Sequence, residues 1–360
     1  LGGIILFILS FMGEPIFNFI GHDPLVKEHQ ISYWKFLAIS GIFQIQLGAL
    51  TSFFNGRGKT YPVMWSSFAS TFVNICLNYC LIFGNFGFPE MGIQGAGLST
   101  LIATFSNVSI LSILIFTSKN NQNFNVRSDY HFNYERFKRL VNFGMPNGFT
   151  FFLNITVFTV FVLLVGRIGI IELAATNIAM NIAMLAFMPM VGLGISVMVQ
   201  VGQSIGANNP ELAKRATYSG LQISFMYLAF LGVFYLFLPQ ILIYPYEANA
   251  SSSNFDQISE MTKIILRFIA FWGFFDALGI IISAGLKGAG DTKFIMIAVG
   301  VIGTCVSVIP VFIVVEILSL GIYSAFINGT IFMATLGITY LIRFRGGKWQ
   351  TMKVIETEIN

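Results

Sequence analysis

Ten apolar stretches of about 20 residues each follow one another along this chain of 360 residues. A helix of that length crosses a hydrocarbon layer about 30 Å thick, and a chain in lipid must satisfy its backbone hydrogen bonds internally. Only 10% of the residues are charged, against roughly 25% in soluble domains. The predicted spans are residues 4–20, 36–54, 63–83, 95–116, 145–165, 174–201, 218–243, 264–286, 295–317 and 321–342.

The spans are predicted to be helices and not barrel strands. Barrel strands alternate apolar and polar residues over about ten positions, whereas these stretches are continuously apolar, and their glycines suit closely packed helices. We therefore expect an all-α polytopic membrane protein whose surroundings are the lipid bilayer. The net charge of +4 is distributed among the connections and does not indicate a nucleic-acid surface.

The connections between the spans differ in their basic residues. Fifteen of the 20 Lys and Arg side chains lie in one set of connections and five in the other. Basic residues near the ends of spans are retained on the cytoplasmic side. We therefore expect a multi-pass protein of the plasma membrane, the inner membrane in a bacterium, with the segment 117–140 and the C-terminus in the cytoplasm.

An internal repeat runs through the chain. Two spans end in similar polar turns, with Gly-x-Gly-x-Thr at residues 56–60 and again at 288–292, and the same spacing of 232 positions extends backward from them. The identical pairs upstream are Glu28 and Glu260, Phe36 and Phe268, Ala38 and Ala270, Gly41 and Gly273, and Phe43 and Phe275. Parallel repeats of this kind are typical of transporters built from two helical bundles.

The repeated turns are predicted to be structural or gating hinges. Their glycines permit a sharp change of direction, and Thr60 and Thr292 are positioned to cap the helix that follows. A phosphate-binding loop would need the pattern Gly-x-x-x-x-Gly-Lys, which neither turn has.

Four predicted spans precede the segment 117–140 and six follow it. We expect two bundles of six helices, with ten of the twelve visible in this chain. The expected parts are an incomplete N-terminal bundle at 1–116, a cytoplasmic connector at 117–140, a C-terminal bundle at 141–345 and a cytoplasmic tail at 346–360. On this interpretation the chain lacks the first two helices and part of the third.

Four segments together resemble one family, the multidrug and toxic compound extrusion (MATE) transporters. They are NICLNYCLIFG at 74–84, GIQGAGLST at 92–100, VGQSIGANN at 201–209 and GLKGAGDT at 285–292. The resemblance implies two bundles of six helices, in which the spans before the connector are helices three to six and those after it are helices seven to twelve.

Asp276 is the sole acidic residue near the middle of a predicted span, and an ionisable group at that depth is costly enough to indicate function. The repeat puts Gln44 at the corresponding position, so the two halves differ there. The resemblance implies that Asp276 binds the coupling cation or proton, as an Asp at this spacing does in NorM-type members. Apart from Na⁺ at this carboxylate, we expect no bound metal.

Asn154, eight residues after Pro146, stands where the resemblance implies a Glu that would partner Asp276. Its amide can offer a carbonyl oxygen to a hard cation but cannot titrate. Asp276 is therefore the only titratable member expected in this half. A hydrogen bond between helices is an alternative role for Asn154.

Asn74 and Asn78 lie one helical turn apart and are predicted to face the same way. The resemblance puts Ala96 and Thr100 of the next helix opposite them, as a polar pocket that takes part in cation or proton coupling. In the family the charged centre of this pocket is an Asp on the first helix, which these residues do not include. Hydrogen bonding between helices is the alternative.

A candidate substrate cavity follows from a second pair of asparagines. Asn177 and Asn181 are one turn apart on a Met-rich span, and flexible Met and aromatic side chains suit varied aromatic cations. The residues assigned to this cavity are Asn177, Asn181, Met184, Phe151, Trp272 and Gln44. Packing or lipid contact is the alternative for the Met and aromatic residues.

Together these features favour an antiporter that exports amphipathic, often cationic compounds in exchange for H⁺ or Na⁺. Its two bundles would rock so that a central cavity opens alternately to either side. We expect a monomer with no cofactor other than the coupling ion and no nucleic-acid partner.

Two other functions fit the sequence less well. A flippase for lipid-linked oligosaccharides or polysaccharides would need basic residues in its cavity for pyrophosphate, and no Lys or Arg lies in the middle of a predicted span. An intramembrane enzyme would need a catalytic set, yet all three His residues lie in connections and no paired acids lie within a span. We therefore expect that the chain is not an enzyme.

Overall fold

The computed structural model describes residues 2–20, 24–128, 132–247 and 254–352. This described part is mostly helical and contains no β-strand, so the predicted all-α fold class is confirmed. By internal contacts the chain divides into two compact units, Leu1–Phe132 and Asn133–Asn360. The division falls inside the segment predicted to be the connector.

The helices described in the first unit are α1 (Gly2–Ser10), α2 (Gly13–Ile20), α3 (Pro24–Asn55), α4 (Tyr61–Phe83), α5 (Gly92–Ile115) and α6 (Ser118–Phe124). α5 packs against both α3 and α4. On α5, Gly97 lies against the Phe36 side chain of α3, and Gly95 lies against the Leu81 carbonyl of α4. These small residues let the helix backbones approach closely.

The first apolar stretch forms two short helices instead of one span. The helix breaks at residues 11–12, where the Met12 N–H donates to the Leu9 carbonyl at 3.0 Å. Pro15 explains the break, because its ring has no N–H and would collide with the carbonyl of residue 11 in a continuous helix. The described residues therefore contain nine helices long and apolar enough to cross a membrane, where the sequence predicts ten.

The helices described in the second unit are α7 (Tyr134–Ile168), α8 (Ile170–Gly206), α9 (Pro210–Phe237), α10 (Pro239–Glu247), α11 (Phe255–Gly288), α12 (Thr292–Ile302), α13 (Ile309–Phe312) and α14 (Gly321–Arg345). The π-helical turn Gly303–Val308 joins α12 to α13, and a second π-helical turn, Ile313–Ile317, follows α13, so that the span runs from Thr292 to Ile317. α11 is central, since it packs against α8, α9 and α14.

The segment predicted to be the connector forms two elements. α6 lies before the division between the units. After it, α7 begins at Tyr134, capped by the Asn133 side chain, which accepts a hydrogen bond from the Arg136 N–H at 3.0 Å. α7 then continues through Pro146 to Ile168 without interruption, so the polar residues from 134 onward are its first turns.

Pro310 follows the π-helical turn Gly303–Val308 and frees a carbonyl within it. Pro310 has no N–H, so the Val306 carbonyl four residues earlier loses its usual helical donor. The Asn328 side chain of α14 supplies the missing donor, with Nδ2 3.1 Å from that carbonyl. The contact joins α14 to the span Thr292–Ile317.

The repeated turns share one hydrogen-bond pattern. Gly58 and Gly290 both adopt positive φ, at 69° and 91°. The Lys59 N–H donates to the Phe54 carbonyl at 3.0 Å, and the Asp291 N–H donates to the Leu286 carbonyl at 2.9 Å. This is the Schellman arrangement, in which a left-handed residue after the helix returns the chain to the last free carbonyls.

The threonines that follow these turns do not cap the next helices. Neither α4 nor α12 has a side-chain hydrogen bond at its N-cap, and the buried Thr292 hydroxyl has no hydrogen-bond partner among the described residues. The capping expectation is therefore wrong: Thr60 occupies the N-cap position of α4 but its side chain makes no cap hydrogen bond, and Asp291, not Thr292, occupies the N-cap position of α12.

Candidate functional site

The depth of Asp276 follows from the register of the helices around it. Near one end of α11, the Thr262 hydroxyl lies 3.5 Å from the Ala175 carbonyl of α8. Near the other end, the Gly288 carbonyl lies against Gly202 of α8. The two helices are therefore parallel, and each α11 residue lies level with the α8 residue 86 or 87 positions earlier.

This register puts Asp276 level with Pro189 and Met190 of α8. Met190 forms a small buried cluster with Leu228 of α9 and Ala277, the neighbour of the acid. The Asp276 side chain is partly exposed and has no hydrogen bond or ion pair with any residue that the structure describes. A carboxylate in such apolar surroundings is stable only when a proton or a cation neutralises it.

α14 runs parallel to α11 on another side. Gly329 of α14 lies against the Trp272 ring of α11, and Gly337 lies against Gly279. These contacts bring Asp276 level with the middle of α14. Four helices, α8, α9, α11 and α14, therefore meet at the depth of the acid.

Asn154 lies at nearly the same depth as Asp276. On α7, Val157 lies against Gly303 of the neighbouring span, and that span is joined to α14 by the hydrogen bond to Asn328. Val157 is level with Gly303, Val306 is level with Asn328 of α14, and the middle of α14 is level with Asp276. By this count, Asn154 lies within about one helical turn of the acid in depth. The Asn154 side chain is exposed, and no hydrogen bond to it is present among the described residues.

The asparagines of α4 form a pair, as predicted. The Asn78 Nδ2 atom donates to the Asn74 Oδ1 atom at 3.0 Å, so the expectation that they face the same way is confirmed. The Asn78 Oδ1 atom is buried without a partner in the described part of the chain. An unpaired buried acceptor of this kind favours a bound water, proton donor or cation.

Thr100 lies level with this pair but bonds within its own helix. α4 and α5 are antiparallel, since the Ser70 hydroxyl donates to the Ala103 carbonyl at 2.7 Å and Gly95 lies against Leu81. The Thr100 hydroxyl donates to the Ala96 carbonyl at 2.9 Å, and no hydrogen bond from Thr100 to Asn74 or Asn78 is described.

The asparagines of α8 lie on one exposed stripe. Asn177, Asn181 and Met184 are exposed, and Met188 continues the stripe one turn further. By the register with α11, Asn181 is about nine residues from the depth of Asp276, which corresponds to roughly 13 Å along the helix. The stripe and the acid therefore lie at different depths.

A groove of about 410 Å³ runs along α7. Its lining residues are Gly148, Phe151, Phe152, Ile155, Thr156, Thr159 and Val160. Phe151 is among the cavity residues that the sequence predicts, whereas Thr156 and Thr159 are not. Their signal in the sequence is a pair of hydroxyls three positions apart on the span that also carries Asn154.

The lining of this groove does not include the other two cavity candidates, Trp272 and Gln44. Trp272 is partly buried in the second unit, with its ring 6.2 Å from that of Phe326 and against Gly329. Gln44 is exposed on α3 of the first unit. Over residues 2–20, 24–128, 132–247 and 254–352, no cluster of three or more His, Cys, Asp or Glu residues could hold a metal ion.

The apolar helices, the two repeat turns and the acid in mid-span define a polytopic α-helical membrane protein of the transporter type. The MatE family model matches residues 1–80 and 146–314, which is more than half of the chain. The chain therefore belongs to the MatE family, as the resemblance implies. Members of this family are transporters, so the chain is not an enzyme.

The chain is similar to curated proteins of the same family. One named "Probable multidrug resistance protein NorM" from Thermotoga maritima is 26% identical over an alignment of 362 residues, which covers 99% of this chain and 75% of that protein. One of the same name from Mesorhizobium japonicum is 28% identical over 297 residues, covering 81% of this chain and 62% of that protein. The chain thus spans between three fifths and three quarters of the length of these relatives.

Solved structures show the same fold. A structure described as the outward-facing conformation of a multidrug resistance MATE family transporter has a TM-score of 0.85 and 19% identity, covering 98% of this chain and 78% of that one. A MOP superfamily transporter from Pyrococcus furiosus has a TM-score of 0.86 and 20% identity, covering 97% and 76%.

Proposed function

We propose that this protein exports amphipathic or cationic small molecules across the membrane in exchange for H⁺ or Na⁺. Membership in the MatE family and the names of its multidrug resistance relatives support this function. The absence of Lys and Arg from the middle of the predicted spans argues against a flippase for pyrophosphate-linked lipids.

The observation that carries the proposal is the setting of Asp276. It is an acid in mid-span, level with Pro189, beside a buried apolar cluster, and without a hydrogen bond or ion pair in the described part of the chain. A group that needs a proton or a cation to be stable can exchange that ion for cargo. Its repeat partner Gln44 cannot do so.

Asn154 would assist Asp276 without titrating. It is near the acid in depth, and its amide oxygen is a suitable ligand for Na⁺ or an acceptor for a protonated carboxyl group. The Asn74 and Asn78 pair, with Thr100 at the same level, would form a second polar pocket in the first unit. Its unpaired Asn78 oxygen is the atom that would accept from an ion or a protonated group.

Cargo would contact the exposed stripe of Asn177, Asn181 and Met184 and the groove that contains Phe151. Aromatic and Met surfaces accept cations of varied shape. Trp272 and Gln44 are assigned to the same cavity from the sequence. Trp272 would act from within the packed unit by supporting the cavity wall.

Transport would proceed by alternating access, with the two halves rocking about the cavity. An ion at Asp276 and cargo in the cavity would disfavour each other, and this coupling is reciprocal in binding free energy. The protein would work as a monomer in the plasma membrane, the inner membrane of a bacterium, with its C-terminus in the cytoplasm.

The test replaces Asp276 by Asn and compares this variant with Asp256→Asn, which alters an exposed acid in the first turn of the same helix. Efflux of ethidium is measured in cells that lack their own exporters, and cargo uptake is measured in proteoliposomes with an imposed H⁺ or Na⁺ gradient. We expect Asp276→Asn to abolish gradient-driven transport and Asp256→Asn to retain it.

The two gradients distinguish the coupling ions, because only the coupled ion drives uptake. Gradient-driven transport by Asp276→Asn at the rate of the unaltered protein, with equal amounts in the membrane, would overturn the role of Asp276. Failure of the unaltered protein to move any amphipathic cation with either gradient would overturn the proposed function.

A further inference from the structure

The segment after the last span folds back onto the end of the second unit. Trp349, in the turn Lys348–Thr351, is 0% exposed. Its ring stacks on Phe344 with centroids 4.7 Å apart and planes 10° apart, and its Nε1 atom donates to the Phe344 carbonyl at 2.7 Å. Gly347, at φ 71°, reverses the chain.

Trp349 is part of the core that supports the repeat turn. The same buried cluster contains Leu286 and Ala289, which belong to the repeat turn at the end of α11. A tryptophan buried this completely contributes a large packing area. Because Trp349 is buried in this cluster, the segment after the last span is part of the folded unit.

Arg343 of α14 forms an ion pair with Asp291 of the same turn. Its Nε atom lies 2.7 Å from Asp291 Oδ2, and its Nη2 atom lies 3.3 Å from Oδ1. Asp291 is 5% exposed, and the guanidinium group lies 4.6 Å from the centre of the Phe294 ring. A buried carboxylate is destabilising unless it is paired in this way.

The first unit has a corresponding arrangement with different chemistry. Arg57, inside the repeat turn of α3, lies 4.7 Å from the centre of the Phe53 ring and 4.2 Å from that of Phe124. Its Nη1 atom lies 3.4 Å from Asn120 Oδ1. Asn120 and Phe124 belong to α6, the segment that follows α5 as the turn of Trp349 follows α14.

We propose that the segment after the last span of each half is a brace that holds the repeat turn of that half closed. In the second unit, the C-terminal brace is the segment 346–351 with Trp349 at its centre, and it acts next to the ion pair that Arg343 of α14 makes with Asp291. It keeps the end of α11, the helix that carries Asp276, fixed against α12 and α14. This proposal concerns local opening of the turn and does not depend on the transported compound.

The test measures local opening with a thiol at Ala289, which is 0% exposed. In a background where Cys76, Cys80 and Cys305 are replaced by Ala, Ala289→Cys is treated with N-ethylmaleimide in membranes. We expect Trp349→Ala, and a chain ending at Arg345, to raise the labelling rate about tenfold or more. Trp349→Phe keeps the ring stacking and is expected to retain most of the protection.

Two controls separate local opening from general unfolding. Ala325, also 0% exposed, lies near the other end of α14, and Ala325→Cys is expected to remain unlabelled in every variant. A chain ending at Met352 keeps the brace and is expected to label like the full chain. It should also melt in detergent about 5 °C or more above the chain ending at Arg345.

Two results would overturn the brace. The first is equal labelling of Ala289→Cys with and without Trp349. The second is simultaneous labelling of Ala289→Cys and Ala325→Cys, which would mean that loss of Trp349 unfolds the whole unit and opens no particular turn.

Discussion

Side chains of neighbouring helices donate hydrogen bonds to backbone carbonyls that prolines in the spans leave without a helical donor. A proline leaves the carbonyl four residues earlier without its helical donor. The Tyr227 hydroxyl of α9 donates to the Leu185 carbonyl at 3.3 Å, four residues before Pro189, and Asn328 has the same role for Pro310. At Pro189 and Pro310, a donor from a neighbouring helix thus satisfies the freed carbonyl and joins two helices.

This role predicts the effect of Asn328→Ala. The Val306 carbonyl would lose its donor in a dry contact, and the free energy of unfolding should fall by about 1–3 kcal/mol. Thr330→Ala is the control, because the Thr330 hydroxyl bonds only the Phe326 carbonyl of its own helix at 2.9 Å. Unfolding in detergent measures both variants.

A second substitution sharpens this prediction. Pro310→Ala returns an N–H to the chain beside the freed carbonyl, so it should reduce the cost of Asn328→Ala when the two are combined. If the two effects simply add, the hydrogen bond from Asn328 does not compensate for the proline.

At the scale of elements, the two copies of the repeat have the same structure at the ends of their helices. The repeat turns have equivalent hydrogen bonds around Gly58 and Gly290, and α8 ends in the same way, with Asn208 at φ 55° and the Asn209 N–H on the Ser204 carbonyl at 2.8 Å. Gly and Asn are the residues that tolerate this left-handed position best. Three long helices therefore end by one mechanism.

The shared mechanism predicts a graded response at Gly290. Gly290→Ala should lower the free energy of unfolding by about 1 kcal/mol, since a Cβ is disfavoured at positive φ, and Gly290→Asn should cost less. Gly192→Ala is the control, because nothing lies within 4 Å of the added Cβ. Thermal unfolding in detergent compares the three, and equal stability of the Ala and Asn variants at Gly290 would contradict the argument.

Element boundaries also show where the apolar pattern is insufficient. The pattern finds a first span at 4–20, yet Pro15 divides it into α1 and α2. The pattern begins the fifth span at 145, yet α7 begins at Tyr134. In both cases hydropathy reports contact with lipid, whereas helix length depends on caps and on backbone hydrogen bonds.

At the scale of the whole molecule, orientation in the membrane is still a prediction from the basic residues. It is tested at the two ends of α4, where Lys59 and Glu90 are both exposed. With Cys76, Cys80 and Cys305 replaced by Ala, we expect a membrane-impermeant maleimide to label Glu90→Cys in intact cells. We expect Lys59→Cys to be labelled only after permeabilisation, and the reverse pattern would overturn the predicted topology.

Much of the candidate site could be predicted from the sequence, but its spatial relations could not. A lone acid in an apolar stretch is visible without coordinates, and so are paired asparagines one turn apart. The sequence does not indicate that Trp272 packs against Gly329 of α14, or that Thr156 and Thr159 share a groove with Phe151. Those relations depend on how each helix is rotated about its axis.

The sequence by itself determined the class of the protein, the number of its long helices to within one, its two related halves and its family. These follow from hydropathy and from local turn chemistry, which act along the chain. Only the tertiary structure decided that Asn154 lies near Asp276 in depth and that Arg343 pairs with Asp291. The physical reason is that lipid gives no hydrophobic drive for one helix face over another, so register and rotation are set by close packing and by hydrogen bonds between helices.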